Sequence, residues 1–510
     1  MRRSMLRRAI LVLCVCVVSL TGIHLWSWRP FAEPAEVENG EEEVRLAPQR
    51  ISPLPDEKVD LGRPATFGGN PYLVGAIVTT TKTLPEAETN ITVNPVNPQN
   101  LVGIITDYSQ RPGGISSNGA SKYAISSDGG MTWGSAFVPL SSKYPITSDG
   151  VKWLVDRDPG VAIDASGNIY FSGLYLKLAT NSASIARQTT PGGVYVCAGK
   201  LPIPKLTSAS CRPIVTDTSM NPTTSVDRDW IAVDGSSSPY SGNVYVTWTY
   251  YTGCAAGQCA TKYIALSRST DHGVTWSAPI QINSLDQAIV DWSMVTVGND
   301  GTVYVAYELY FTTGDQRMHY VATSTDGGMT FGTPIAMTPL FPQVSFLCPY
   351  RKNSAPNIVV SNVSGSEYVY DVYAEQNGGG SSIAMVRSNQ PKGAGGFTNP
   401  VIINDSTAGQ REYAAAAVDG NGTLHTIWLD TRNSPQDDSQ YDVYGTYSED
   451  GGATFAPNAR ITSALINGNT NFIGDFFGIT VEPATGLAHP VWTNGGLLNG
   501  QMQSTTLTPQ

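Results

Sequence analysis

GVAIDASGNIYFSGLY (160–175) and WIAVDGSSSPYSGNVYVTWTYY (230–251) are two versions of one phrase. Each starts with a short apolar run, passes an Asp followed by small and Gly residues, and resumes as alternating Tyr, Val and Trp. An Asp side chain can cap a turn and a Gly tolerates positive φ, so the phrase reads as a hairpin joining two buried strands. The phrase recurs as ITVNPVNPQNLVGIITD (91–107), MVTVGNDGTVYVAYELY (294–310), NIVVSNVSGSEYVYDVYAEQ (357–376), AAAVDGNGTLHTIWLD (415–430) and GITVEPATGLAHPVWTN (478–494). The turn position falls at Asn94, Asp164, Asp234, Gly298, Ser361, Asp419 and Glu482, at spacings of 70, 70, 64, 63, 58 and 63 residues. A unit of this length holds four ordinary strands with their turns, which is one propeller blade. The expected fold class is therefore all-β, a seven-bladed β-propeller of four-stranded blades. After the seventh unit only one strand fits before the end (501–508), and YLVGAIVTTT (72–81) is the segment expected to complete that blade and clasp the ring.

Composition agrees. Of 510 residues, 41% are hydrophobic and only 14% charged, with 51 Gly and 24 Tyr, which excludes bulk disorder and coiled coil. The net charge of −11 belongs to residues 66–510, because the first 65 carry 9 basic and 9 acidic side chains. An acidic globular part excludes nucleic acid as the expected partner, since that affinity comes from Lys and Arg on phosphates.

The N-terminus reads as a separate segment. Four arginines stand in the first eight residues, and the uncharged run Ala9–Trp28 follows. As a helix this run spans about 30 Å, the thickness of a bilayer core. Basic residues ahead of it predict a single-pass anchor with the rest outside the cytoplasm, and a cleaved signal peptide is the alternative. Either way the propeller is exported, membrane-anchored in one case and secreted in the other. The expected organisation is an anchor or signal over 1–30, an acidic Pro/Glu-rich linker over 31–66 and the propeller over 67–510. In an oxidising compartment Cys197 with Cys211 and Cys254 with Cys259 are expected to form local disulfides, leaving Cys348 over.

A second motif, S-x-D-x-G-x-T-[W/F], occurs four times, at 126–133, 269–276, 324–331 and 448–455. In it Asp128, Asp271, Asp326 and Asp450 are placed to accept backbone N–H bonds across a hairpin turn, with a terminal aromatic free to pack into the blade. On this motif the chain resembles the Asp-box (bacterial neuraminidase repeat) propellers, the superfamily that includes sialidases. It is closer to the uncharacterised sialidase-like bacterial proteins that repeat Asp-Arg-Asp-Trp-Ile-Ala-Val-Asp (227–234 here) than to true sialidases. The resemblance implies that these four aspartates are structural, in turns between a blade's third and fourth strands and away from the ligand face. No cofactor is expected, since the chain has no phosphate-binding Gly loop and no H-E-x-x-H.

The loops leading into the inner strands are unusually charged. They include Asp156-Arg157-Asp158, Asp227-Arg228-Asp229-Trp230, Asp291-Trp292, Gln410-Arg411-Glu412-Tyr413 and Gly474-Asp475, while Glu308, Glu375, Asp430 and Arg432 follow the second strands. In this register they converge on one end of the central channel. The expected function is binding of a glycan or other polar ligand there, with Arg157, Arg228, Arg411, Arg432, Glu412, Asp430 and Asp475 as ligand-binding residues. One alternative is a glycoside hydrolase of exo-sialidase type or related specificity. The resemblance then implies Tyr413 as nucleophile with Glu375 or Glu308, Asp158 or Asp229 as acid, and the arginines on a sugar carboxylate. A third reading is a non-catalytic surface scaffold or protein-interaction propeller. The chain departs from sialidases in having seven units instead of six, and in a first blade led by Glu88-Thr-Asn-Ile-Thr, with no arginine. Repetition of Asp-Arg-Asp at neighbouring blades also suits structural ion pairs. No histidine pair has zinc spacing. Asp437, Asp438 and Asp442 offer carboxylates for Ca²⁺ without the spacing of a known calcium loop. The propeller is expected to be a monomer that meets the membrane only through its N-terminal helix.

Overall fold

A computed structural model describes residues 66–510, apart from 81–85, 109–118, 139–152, 156–157, 178–190, 202–205, 207–209, 217–223, 255–258, 288, 312–314, 345–350, 352–353, 364–365, 437–438, 469–472 and 496–500. The anchor or signal, almost all of the linker, Arg157, Cys348, Asp437 and Asp438 lie outside the described residues. No helix among the described residues is long and apolar enough to cross a membrane.

The described residues form seven antiparallel sheets in chain order, each running from an inner to an outer strand, and one short parallel pair of Thr66–Phe67 with Thr454–Phe455. Blade 1 is Glu86–Val93, Leu101–Asp107, Ala120–Ser126 and Gly134–Phe137. The inner position of blade 2 is shared by Trp153–Val155 and Gly160–Ile163, followed by Asn168–Lys177, Pro191–Lys200 and Cys211–Thr216. The inner strands of blades 3 to 7 are Thr224–Val233, Val290–Val297, Ile358–Val360, Arg411–Val418 and Gly478–Val481. The turn residue found in the repeat does what its chemistry dictates. Asp164 Oδ1 accepts from Ser166 N at 2.8 Å and Asn168 N at 2.9 Å, and Asp419 Oδ1 accepts from Asn421 N and Thr423 N. In blade 4 the equivalent residue is Gly298, and Asp300 takes over by accepting from Thr302 N at 3.0 Å.

Burial follows the ring. Among the described residues seven hydrophobic clusters form, one for each pair of neighbouring blades. Trp248 of blade 3 packs with Tyr170 and Val196 of blade 2, Trp428 of blade 6 with Tyr370 and Val372 of blade 5, and Trp492 of blade 7 with Ile427 and Tyr441 of blade 6. Fully burying side chains of this size stabilises by about 2–3 kcal/mol each before ordering costs. The last cluster joins Val491 and Met502 of blade 7 to Ile91 and Leu101 of blade 1, so the ring closes on itself.

Closure also uses the N-terminal segment. Leu73–Val74 pairs antiparallel with Leu507–Thr508, and Val78–Thr79 with Met502–Ser504, which supplies the outer strand of blade 7 as expected. Tyr72 adds a hydrogen bond between its hydroxyl and His425 Nδ1 of blade 6 at 2.9 Å.

The four S-x-D-x-G-x-T-[W/F] segments share one geometry between third and fourth strands. Gly130 N donates to Ser126 Oγ and Thr132 N to Asp128 Oδ1, at 2.8 and 2.9 Å, and the same bonds recur around Asp271, Asp326 and Asp450. The Thr132 hydroxyl and amide hold the Asp128 carboxyl down at about 2. The turns also reach the blade before. Arg268 of blade 3 donates to Gly327 O in the turn of blade 4 at 2.7 Å, and Arg387 of blade 5 donates to Gly451 O in blade 6. At Gly328 (φ +77°) a Cβ would stand 2.8 Å from the Tyr245 ring of blade 3, so glycine is required by contact as well as by backbone. These segments therefore latch blade to blade. Both local disulfides are formed, Cys197–Cys211 across paired strands and Cys254–Cys259 at a hairpin end.

Candidate functional site

One irregularity recurs on the inner strands. Pairing with the second strand slips by one residue between Ala87 and Asn90, Asp227 and Trp230, Asp291 and Met294, and Glu412 and Ala415. At each slip one residue has a left-handed backbone: Glu88 (φ 61°), Arg228 (54°), Trp292 (53°) and Tyr413 (54°). Asp158 (55°) stands at the same distance from the turn in blade 2, and Gly474 (89°) precedes the inner strand of blade 7 two residues further from its turn. In blade 5 the residue at the corresponding distance from the turn, Ala355, does not have a left-handed backbone. The slips are β-bulges, which bend the strand and redirect the side chain at the bulge. A non-glycine residue in this conformation costs about 1–2 kcal/mol, and such strain gathers where function requires a particular aim.

Here the aim is the channel. Oxygens of Glu88, Asp158 and Asp475, from blades 1, 2 and 7, lie within 4.8 Å of one another, and all three residues are buried. Glu88 Oε2 accepts from Thr106 Oγ1 at 2.6 Å and from Asp158 N at 3.4 Å. Asp475 Oδ2 lies 3.3 Å from Arg228 Nη1 and 3.2 Å from Arg351 Nη1. Arg228 stacks on the Trp292 ring with Cζ 3.4 Å from its centroid, and its Nε is 3.7 Å from both Asp227 and Asp291. Asp291 is shared with Lys262 at 2.7 Å. Burial would raise the Asp291 carboxyl, but Lys262 and then Arg228 hold it below its ordinary range. The three carboxylates have the donor type that suits a divalent cation, yet Arg228 and Arg351 already supply positive charge to Asp475.

Beside this network lies a cavity of ≈ 620 Å³, counting the open space at its mouth. Its walls include Trp230, Trp292, Tyr413 and Phe476, with Asp158, Arg228 and Asp229 as charged or ionisable members. Trp230 and Phe476 meet edge to face with centroids 5.9 Å apart. Burial pushes Asp229 well above the usual carboxylate range, with the nearby Ser172 hydroxyl opposing. Asp227 is also pushed up by burial, against the pull of Arg228. Tyr413 rises through burial and then through Glu412 and Asp475, and its hydroxyl donates to Arg351 O at 3.3 Å.

The structure thus brings together Asp158, Arg228, Asp229, Tyr413 and Asp475. Among the described residues it does not assemble the wider arginine cluster. Arg411 is buried away from the cavity, donating to Ala408, Gly409 and Ser381 carbonyls and lying 3.3 Å from Asp430 Oδ2. Arg432 is 2.7 Å from Asp430 and 2.5 Å from Asp405, with its guanidinium over Tyr444. Asp430 is therefore a structural partner of both arginines. Glu412 is fully buried beside Tyr413 without lining the cavity. The reason is geometric. A bulge adds one residue, so side chains before it and side chains at it leave the strand in different directions.

The expected nucleophile pair is not formed either. Glu308 is held by Arg317 at 2.7 Å, with His319 at 3.7 Å. Glu375 is fully buried beside Tyr373, whose hydroxyl stands close without completing a hydrogen bond, and burial pushes its carboxyl up to about 7. Asp442 is committed to Asn433, Arg460 and Thr462, so it is not free for Ca²⁺. Sequence reading missed Arg351, which precedes blade 5 without the Asp-Arg-Asp spelling. It also passed over Glu88, whose place at the first bulge was visible only as an absent arginine.

No family model and no curated protein matches the chain. Among solved structures, the chain is similar to a protein of unknown function from Dyadobacter fermentans DSM 18053, at 12% identity over 86% of this chain and 99% of that one, TM-score 0.47. It is similar to a PL25 ulvan lyase bound to a GlcA–Rha3S saccharide, at 12% identity over 84% and 95%, TM-score 0.46. It is similar to a Trypanosoma rangeli sialidase in complex with sialic acid, at 13% identity over 76% of this chain and 60% of that one, TM-score 0.42.

Proposed function

We propose that this chain is an exported propeller whose channel face binds a neutral, hydroxyl-rich ligand, a glycan. The observation that carries the reading is the cavity itself, walled by Trp230, Trp292, Tyr413 and Phe476 beside hydrogen-bonding groups of both signs. Aromatic faces take the C–H surface of a pyranose, and carboxyl and guanidinium groups take its hydroxyls. The ion pairs among Asp475, Arg228, Arg351 and Asp291 offset one another, which suits an uncharged ligand better than an acidic one. Export is supported by the two disulfides together with the basic-then-apolar N-terminus.

The test is a glycan array followed by calorimetry on the intact exported part. Neutral oligosaccharides are expected to bind the wild type, and Trp292→Ala to weaken them about tenfold or more, the scale of a lost stacking partner and its Arg228 contact. An array with no bound glycan overturns the reading. Catalysis is the second reading, favoured by Asp229, because a cavity-lining carboxyl that burial pushes above the ordinary carboxylate range is the kind of group that serves as a general acid. Release of aglycone from a panel of neutral aryl glycosides, lost in Asp229→Asn, would establish it.

A further inference from the structure

Asp475 follows Gly474 (φ 89°), just ahead of the inner strand of blade 7. It is 3% exposed at its side chain, while the two arginines on its Oδ2 keep 13% (Arg228) and 21% (Arg351). Two guanidinium groups from different blades meeting on one carboxylate oxygen is the arrangement by which proteins hold a ligand's carboxylate. In this protein the carboxylate belongs to the chain.

We propose that Asp475 is a built-in carboxylate that fills a two-arginine seat and so makes the channel select against acidic ligands. The inference rests on the channel face being the binding face, as argued above. A ligand carboxylate entering this seat would have to displace Asp475 from both arginines. It would also stand beside Glu88 and Asp158, whose oxygens lie within 4.8 Å of that of Asp475, and like charges this close repel. A neutral sugar meets the aromatic walls and leaves the ion pairs in place.

Neutralising the residue without changing its shape, as Asp475→Asn, turns the seat outward. Arg228 does not collapse, because the Trp292 ring lies under it and Asp227 and Asp291 flank it. Arg351 is fixed at its backbone, where its carbonyl accepts from the Tyr413 hydroxyl. The variant then offers two preset guanidinium groups to an external carboxylate, with one resident negative charge fewer nearby.

The experiment compares D-glucuronate with methyl β-D-glucoside on wild type, Asp475→Asn and Asp475→Asn/Arg351→Gln, by calorimetry and thermal shift. Glucuronate is expected to bind Asp475→Asn about tenfold or more tightly than it binds wild type, the scale of one charge-assisted hydrogen bond. It should raise the Tm of that variant alone, and the double variant should lose the gain. A folded Asp475→Asn with no gain overturns the proposal, as does a wild type that already binds glucuronate equally well. If Asp475→Asn does not fold, Asp475→Ser is refolded with each sugar. Recovery with glucuronate but not with the glucoside supports the seat, and equal recovery overturns it. A wild type that binds no neutral glycan on the array, with the anion gain intact, overturns the neutral-ligand reading alone.

Discussion

Glu375→Gln is expected to stabilise the protein, and only at neutral to alkaline pH. Glu375 lies on the second strand of blade 5 with no side-chain exposure, on the same face as Tyr373, which packs edge-on against His319 of blade 4. Burial raises its carboxyl from 4.5 to about 7, with the Tyr373 hydroxyl as the opposing influence. The native state therefore holds a proton that the unfolded chain releases, and stability falls as pH rises from about 4.5 to about 7, then levels off. At 1.36 kcal/mol per tenfold, the full penalty is about 3 kcal/mol at pH 8 and under about 1 kcal/mol at pH 5. Glutamine has the carboxyl's shape but cannot ionise. Any fixed cost of its amide enters equally at both pH values, so the difference between them isolates the ionisation. Urea unfolding of wild type and Glu375→Gln at pH 5 and pH 8 reads this directly, since urea leaves ionic strength unchanged. The variant should gain about 2–3 kcal/mol relative to wild type between the two pH values. Equal differences at pH 5 and pH 8 would refute the assignment of Glu375 as a buried, protonated carboxyl.

Further outcomes follow from the same geometry. His319 is the opposite case. Burial disfavours its charge, but Asp371 at 2.6 Å and then Glu308 raise it from 6.5 to about 9, so its contribution is full below pH 6.5 and is lost as pH rises through 9. His319→Gln should flatten the stability profile in that window and leave the lower one. Gly474→Ala places a Cβ 2.4 Å from Glu88 N at φ +89°, and should cost about 2–4 kcal/mol in urea unfolding. Asp326→Ala removes the acceptor for the N–H groups of Met329 and Thr330 and should lower stability by about 1–2 kcal/mol without changing glycan affinity. A change in affinity would contradict the structural role. Reduction of Cys197–Cys211, which closes a separation of 14 residues, should cost about 3 kcal/mol on a denaturation curve.

The ring was legible in sequence because its turns are chemical. Asp164, Asp234 and Asp419 cap hairpins through their own side chains, so a residue type recurs wherever the geometry recurs. The closing segment could be read because blade 7 lacked a strand and 72–81 lacked a partner. The site was half legible for an equally physical reason. Charge marked the right stretch of each inner strand, but the bulge decides which side chain in that stretch faces the channel. The position is filled by Glu88, Asp158, Arg228, Trp292 and Tyr413, which share a backbone conformation and no residue type. Their shared place in charged entry loops therefore grouped Arg411 with Arg228, although one is clamped by blade 5 carbonyls and the other lies on Trp292. Asp430 and Arg432, at the end of a second strand, are partners of one another.

The central claim is that the bulges build a ligand site at one end of the channel. A crystal structure of the wild-type protein with a neutral oligosaccharide drawn from the array tests it most directly. The account predicts sugar density between the Trp230 and Trp292 side chains, within hydrogen-bond distance of Arg228 or Asp158. Density seated elsewhere on the propeller, with this cavity unchanged, would contradict it.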